Sequence, residues 1–138
     1  MAKEFWFNLP VKDINKSKGF FKEIGFISNP MHDANDHLGS FFIGDEKVVM
    51  MLFLDETFKS FTLNNILNTE KGTEVLFNID AQNREEVNEM AKKVKLAGGI
   101  IYAEPGEKEG WMYGCGFKDL DGHRWTILHM DMDKMLKH

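Results

Sequence analysis

The sequence predicts an α+β fold in which one domain, residues 1–138, is built from two βαβββ repeats. Apolar runs of strand length alternate with polar turns, and one helical pattern follows the first run of each half. The segments also follow the same order in both halves, which indicates an internal repeat. A hydrophobic content of 43% and a charged content of 28% are typical of a chain that buries one core.

The first repeat covers residues 4–55. Its opening segment, Glu4–Val11, is rich in aromatic residues and predicts a strand. Asp13 then supplies the N-cap of a helix that runs through Ile24, and Gly25 ends that helix. Three further apolar segments, separated by polar turn residues, predict antiparallel strands. They are Phe26–Met31, Leu38–Ile43 and Val48–Leu54.

A connector covers residues 56–72, and its apolar residues Phe58, Phe61, Ile66 and Leu67 predict a short packed helix. The second repeat, residues 73–131, begins with the strand Thr73–Ile79. Asn83, with Glu86 three residues later, predicts a helix start, and Gly98 with Gly99 predicts its end. The remaining predicted strands are Ile100–Ala103, Trp111–Phe117 and His123–Met130.

The two repeats can be aligned by their first and last strands. The last strands align at an offset of 76, which sets Asp121–Asp131 over Asp45–Asp55, and the first strands align at an offset of 68. A single βαβββ unit leaves one sheet face uncovered, so two units are expected to pair. The predicted result is a cup-shaped, curved mixed sheet with helices on its outer face and room inside for a small molecule.

Composition excludes several classes of partner. A formal net charge of −5 without a basic stripe argues against nucleic acid and against anionic membrane surfaces. No apolar run reaches the roughly 20 residues that a membrane-spanning helix needs. The single cysteine, Cys115, cannot form a disulfide within the chain, and no secretory leader is recognisable, so a cytoplasmic location is expected.

Two segments carry a family resemblance. Gly110–Leu128 (GWMYGCGFKDLDGHRWTIL) and Leu9–Asp13 (LPVKD), the latter followed by Ser17, Phe20 and Phe21, resemble the vicinal oxygen chelate superfamily, which includes glyoxalases, bleomycin-resistance proteins and extradiol dioxygenases. The resemblance implies a cup in which metal-binding members hold a divalent cation. Histidine, glutamate or glutamine residues from the first and last strand of each repeat supply its ligands. It also implies a homodimer.

Carried onto this sequence, the four metal positions fall on Trp6, Met50, Glu74 and Thr126. Only Glu74 offers a good donor, because an indole, a thioether and a hydroxyl would hold a hard divalent cation poorly. Neighbouring residues in the same strands add no ligand if the register slips by one. Neither a metal nor another cofactor is therefore expected.

The remaining candidate residues each allow two interpretations. Glu74 is either a solvated carboxylate or, if desolvated in the cup, a catalytic base. Asn8 either binds a ligand or faces water, and Trp111 and Tyr113 either line the pocket rim or pack in the core. Cys115 is expected to be buried and inert. His32 and His37 are expected in a solvated loop and not in a metal site.

Three functions follow from these assignments. The first is metal-free binding of a small, partly apolar molecule by Trp6, Asn8, Met50, Glu74, Trp111, Tyr113 and Thr126. The second is a metal-dependent lyase or ring-cleaving dioxygenase whose ligands lie elsewhere. The third is metal-free acid/base catalysis by Glu74. The first is preferred, and whether the protein is an enzyme stays open, because one fold supports many functions.

Overall fold

The structure is a computed structural model that describes residues 1–136. The chain divides into two compact units, residues 1–68 and residues 69–138. Each unit has its own four-stranded mixed sheet. Among the described residues, no helix is both long enough and apolar enough to cross a membrane.

The first unit contains one sheet, two helices and a 3-10 turn. Its strands lie in the order β1-β4-β3-β2, with β1 parallel to β4 and the other pairs antiparallel. The elements in chain order are β1 (Trp6–Val11), α1 (Ile14–Glu23), β2 (Ile27–Ser28), the 3-10 turn Pro30–His32, β3 (Leu38–Ile43), β4 (Val48–Leu54) and α2 (Asp55–Thr62).

The predicted caps define helix α1. The Asp13 side chain accepts a hydrogen bond from the Lys16 backbone N–H at 3.1 Å, and Gly25 follows the helix with φ +103°, a conformation that glycine adopts without steric cost. The apolar side of α1 packs on the sheet through Phe20 and Phe21, which are 2% and 1% exposed. Burying one such side chain contributes roughly 2–3 kcal/mol.

Strand β2 is shorter than the predicted segment Phe26–Met31. It ends at Ser28, because the Asn29 side chain accepts a hydrogen bond from the Met31 backbone N–H and begins the 3-10 turn. Pro30 lacks a backbone N–H and cannot extend a ladder of hydrogen bonds. Asparagine followed by proline is a turn signal, and the strand prediction gave it too little weight.

The second unit repeats the same sheet order. Its strands lie as β5-β8-β7-β6, with β5 parallel to β8. The elements are β5 (Leu76–Asp80), α3 (Arg84–Ala97), β6 (Ile100–Lys108), β7 (Met112–Lys118), β8 (Arg124–Met130) and α4 (Met132–Met135). The α+β class and the two βαβββ repeats are therefore confirmed.

Helix α3 covers one face of the second sheet. Asn83 accepts a hydrogen bond from the Glu86 backbone N–H at 2.9 Å, as predicted, and Gly98 ends the helix with φ +97°. Val87 and Ala91 pack with Cys115 and Ile127 in a core cluster. The connector helix is also present as α2, although Ile66 and Leu67 lie beyond its end.

A candidate ligand pocket on the first sheet

A cavity of about 820 Å³ lies against the face of the first sheet that α1 leaves uncovered. This volume is within the range of small-molecule pockets. Its lining comes entirely from the first unit: the chain before β1, strands β1 and β4, the turn between β3 and β4, and helix α2. The lining residues are Lys3, Glu4, Phe5, Trp6, Asn8, Glu46, Lys47, Val48, Val49, Met51, Phe53 and Phe61.

Period-two alternation decides which side chains reach the pocket. In the parallel pair of β1 and β4, Trp6 is in register with Val49 and Asn8 with Met51. In-register residues project to the same face, so these four side chains share one surface. Phe53 follows two residues after Met51 and packs edge-to-face with Phe61 of α2, with ring centroids 5.0 Å apart. The floor and one wall of the pocket are therefore apolar.

Asn8 is the polar group within this apolar surface. Its side-chain oxygen Oδ1 is buried, and no hydrogen-bond donor reaches it among residues 1–136. An unsatisfied buried acceptor costs roughly 1–3 kcal/mol. A donor for such a group has to come from outside the chain, from a ligand or from an ordered water. The predicted ligand-binding role of Asn8 is thus compatible with its position.

Trp6 adds an aromatic surface at the pocket. Its side chain is 58% exposed, which is unusual for so large an apolar group, and it lies two residues from Asn8 on the same face. Exposed lysine and glutamate residues also line the cavity and bring charges of both signs to it. They are Lys3, Glu4, Glu46 and Lys47.

Met50 does not share this surface. It is in register with Phe7 and Phe41, and its side chain is 0% exposed, within the core that α1 covers. Trp6 and Met50 were expected to face the same cup. The strand register differs from this expectation by one residue, and a shift of one residue moves a side chain to the other face of a strand. Met51 occupies the position expected for Met50.

Glu74 is also displaced from its predicted position. The helix N-caps Asp13 and Asn83 align the repeats at an offset of 70, so the counterpart of Trp6 is Leu76. Glu74 lies two residues before β5 and is exposed. The catalytic role of Glu74 would require a desolvated carboxylate, and an exposed position does not desolvate it.

Thr126 lies on the face of the second sheet opposite α3. Its hydroxyl donates a hydrogen bond to Oδ1 of Asn78, the residue in register with it on β5. At the offset of 70, Asn78 is the counterpart of Asn8, and both stand two residues after the first residue of their strands. The two repeats thus place an asparagine at equivalent positions.

The residues present do not fit the divalent cation that the resemblance implies. Corrected for register, the four positions hold an indole, a thioether, an alkyl chain and a hydroxyl, contributed by Trp6, Met51, Leu76 and Thr126. None of these is a strong ligand for a hard cation. Across residues 1–136, no three His, Cys, Asp or Glu side chains group as a metal site would need.

Trp111 lies in the turn that precedes β7, and Tyr113 is the second residue of β7. Trp111 is half-buried, and its carbonyl accepts a hydrogen bond from the Asp131 backbone N–H at 2.8 Å. Tyr113 projects toward α3, where its hydroxyl donates to Asn88 at 2.7 Å and its ring packs against the core cluster. Tyr113 therefore belongs to the helix-covered face, and neither residue lines the pocket described above.

Two further side chains take structural positions. Cys115 is buried in the core of the second unit, and burial, assisted by the charge of Glu104, raises its pKa to about 11. His32 lies in the 3-10 turn, with Nδ1 2.8 Å from the Ser40 hydroxyl. Of the residues that line this cavity, the sequence predicted Trp6 and Asn8. It did not predict the others, which include the apolar Val49, Met51, Phe53 and Phe61. Val49, Met51 and Phe53 share one face of β4 by alternation, but only the pairing of β4 with β1 shows that this is the face of Asn8.

Comparison with known proteins agrees with this architecture. The family model described as bleomycin resistance protein-like N-terminal matches residues 3–35. A hypothetical protein from S. aureus is 33% identical, with a TM-score of 0.82, and the alignment covers 94% of this chain and 95% of that one. In its fold, and in the family match over β1, α1 and β2, the chain is similar to the vicinal oxygen chelate superfamily.

More distant structures of this superfamily share the fold. A glyoxalase/bleomycin resistance protein/dioxygenase family enzyme from Burkholderia phytofirmans is 16% identical, with a TM-score of 0.77 and coverage of 94% of this chain and 99% of that one. A fosfomycin resistance protein from Listeria monocytogenes, determined with Mn(II), is 20% identical, with a TM-score of 0.66 and full coverage of both chains. No curated protein matches the chain in sequence.

Proposed function

We propose that this protein binds a small, partly apolar molecule in the pocket of the first sheet and that it does so without the divalent cation common in the superfamily. The observation that carries the proposal is the buried, unsatisfied Oδ1 of Asn8 within an apolar pocket of about 820 Å³. Apolar walls with few, well-placed polar groups are typical of ligand sites.

The chemistry of the pocket favours one class of ligand. Trp6 and Phe53 offer aromatic surface for a flat apolar body, and Asn8 Oδ1 is an acceptor that requires a donor. The preferred ligand is therefore aromatic or fused-ring and carries a hydroxyl or N–H group. A charged group on the ligand would lie toward the opening, beside Lys47 or Glu46.

A matched pair of probes tests this preference. We expect 2-naphthol, which can donate a hydrogen bond, to bind about tenfold more tightly than 2-methoxynaphthalene, which cannot, because that ratio corresponds to about 1.4 kcal/mol for one hydrogen bond to a buried acceptor. Isothermal titration calorimetry on the full chain measures both affinities. Equal affinities would remove Asn8 from the proposed role.

Substitutions test whether the two probes bind in this pocket. Asn8→Leu keeps the side-chain size, removes the acceptor and should abolish the difference between the two naphthalenes. Trp6→Phe should weaken both to a similar extent. Asn64→Leu is the control, since Asn64 is exposed beyond α2 and does not line this cavity. A loss of binding in Asn64→Leu equal to that in Asn8→Leu would indicate a nonspecific effect.

Metal content is tested separately. Protein purified without chelator should hold far less than one equivalent of zinc, nickel, manganese or iron by inductively coupled plasma mass spectrometry. The donors at the superfamily positions, Trp6, Met51, Leu76 and Thr126, are the reason for this expectation. Near-stoichiometric metal that survives dialysis, together with a rise in Tm on metal addition, would overturn the metal-free part of the proposal.

A further inference from the structure

We propose that the face of the second sheet opposite α3 binds the carboxylate group of a small organic acid and that Arg124 is the residue that recognises it. This site lies wholly within the second unit and is separate in residues from the pocket that contains Asn8. It rests on the arrangement of Tyr102, Arg124, Lys118 and Asn78.

Tyr102 forms a platform on this face. A Cβ atom at Gly116 would lie 2.5 Å from the Tyr102 ring, so only glycine allows the ring to lie flat across strand β7. The Tyr102 hydroxyl reaches the Trp125 carbonyl on β8, at 3.5 Å. The ring therefore spans from β6 to β8, directly over the sheet backbone.

Arg124 lies on this platform. Its guanidinium carbon is 4.4 Å from the centre of the Tyr102 ring, a cation–π distance. Its Nε is buried and has no hydrogen-bond partner among residues 1–136. A guanidinium carries five N–H donors and stays charged at all accessible pH values. Stacking on the Tyr102 ring holds the guanidinium in one orientation. The N–H groups point outward in the plane of the guanidinium, and the ring does not accept hydrogen bonds from them.

In the two rows that contain Arg124 and Thr126, the sheet positions add donors and no acid, and Asp80 lies one row further along the same face. Lys118 is in register with Arg124 on β7, which places both cations on one face about 5 Å apart at Cβ. In the next row, Asn78 uses Oδ1 to accept from Thr126, which leaves its amide N–H groups available. The other residues in register in these two rows are uncharged: Leu76, Ile100, Ala103, Gly116 and Thr126.

A planar monoanion is the best match to this arrangement. Guanidinium and carboxylate groups pair through two parallel hydrogen bonds in one plane, and stacking on Tyr102 leaves the edge of the guanidinium as its binding surface. Lys118 supplies a second positive charge without a second fork. The exposed side chain of Leu76, in register with Arg124, offers a contact for an apolar substituent on the acid.

Nitrogen-15 NMR reports this site directly, because the chain contains only two arginines, Arg84 and Arg124. Benzoate is the probe and benzamide its neutral analogue. We expect benzoate to shift the Arg124 Nε–H signal saturably and benzamide to leave it in place. An Arg84→Lys variant assigns the two signals. Arg84 is already paired with Glu107, so its own signal should move little.

Substitutions then separate recognition from simple charge. Arg124→Lys keeps the charge but loses the two-donor fork, and it should weaken benzoate binding about tenfold. Lys118→Gln should weaken it several-fold, whereas Lys92→Gln on the exposed side of α3 should not change it. If Arg124→Lys fails to fold by circular dichroism, the benzoate–benzamide comparison and Lys118→Gln still decide the question.

Three results would overturn the proposal. The first is an equal response to benzoate and benzamide, which would mean that charge is not recognised. The second is unchanged benzoate affinity in a folded Arg124→Lys variant. The third is binding of inorganic phosphate or sulfate as tight as that of benzoate, which would indicate an unspecific anion site. Because Asn8→Leu lies outside this site, it should leave the benzoate response intact, so this proposal and the naphthalene proposal fail independently.

Discussion

At the residue scale, Asp119 organises the turn that precedes β8. Its carboxylate is buried and accepts hydrogen bonds from the backbone N–H groups of Asp121 and His123, both at 3.0 Å, and from Nε1 of Trp125 at 3.1 Å. Asp119→Ala leaves these donors unsatisfied, so we expect a loss of about 2–4 kcal/mol in the free energy of unfolding, measured by urea titration. A loss below about 0.5 kcal/mol would contradict this role.

The ionisation of Asp119 predicts a pH effect. Burial raises the pKa of its carboxyl group in the folded state, although His123 and the three donors oppose the shift. Protonated Asp119 therefore contributes to the free energy of unfolding. This contribution is fully present below the unfolded-state pKa, about 3.9, and is lost as the pH rises through the folded-state pKa. Between pH 4 and 7, wild type should lose more unfolding free energy than Asp119→Asn. Asp45→Asn, an exposed control, should follow wild type.

Cys115 provides a second prediction at this scale. Its pKa of about 11, raised first by burial and then by Glu104, leaves almost no thiolate at pH 8. Iodoacetamide should therefore leave the folded protein unlabelled over hours and label it fully in urea, as mass spectrometry would show. Because this is the only cysteine, the readout is unambiguous. Rapid labelling of the folded chain would place the thiol outside the core.

At the scale of elements, Lys18 of α1 holds the segment that follows β2. Its side chain is 5% exposed, and its ammonium donates to the carbonyls of His32 at 2.8 Å, Asp33 at 3.4 Å and Asn35. Lys18→Met should lower the free energy of unfolding by about 2–3 kcal/mol, because those carbonyls lose a charged donor. Lys22→Met removes only an exposed pair with Asp33 and should cost less than about 0.5 kcal/mol. Similar losses in both variants would contradict this account.

The elements also show what the sequence could predict. Caps are local signals, so Asp13, Asn83 and Gly98 predicted both long helices. Register depends on pairing between distant strands, and the sequence contains no local signal for it; Met50 and Glu74 were consequently misplaced by one and two residues. The N-caps, aligned at an offset of 70, would have corrected Glu74. Arg124 and Tyr102 were missed because only the register brings them together.

At the scale of the whole molecule, self-association is the remaining prediction. Each four-stranded sheet has edge strands, and exposed edges favour pairing with another chain. Ile27 on β2 and Ile100 on β6 are exposed at such edges, by 66% and 56%. Sedimentation equilibrium at micromolar concentration should give twice the chain mass of 16.0 kDa. Ile27→Lys and Ile100→Lys, measured separately, test which edge strand forms the dimer. A wild-type chain that stays monomeric at concentrations on the order of 100 μM would rule out the dimer.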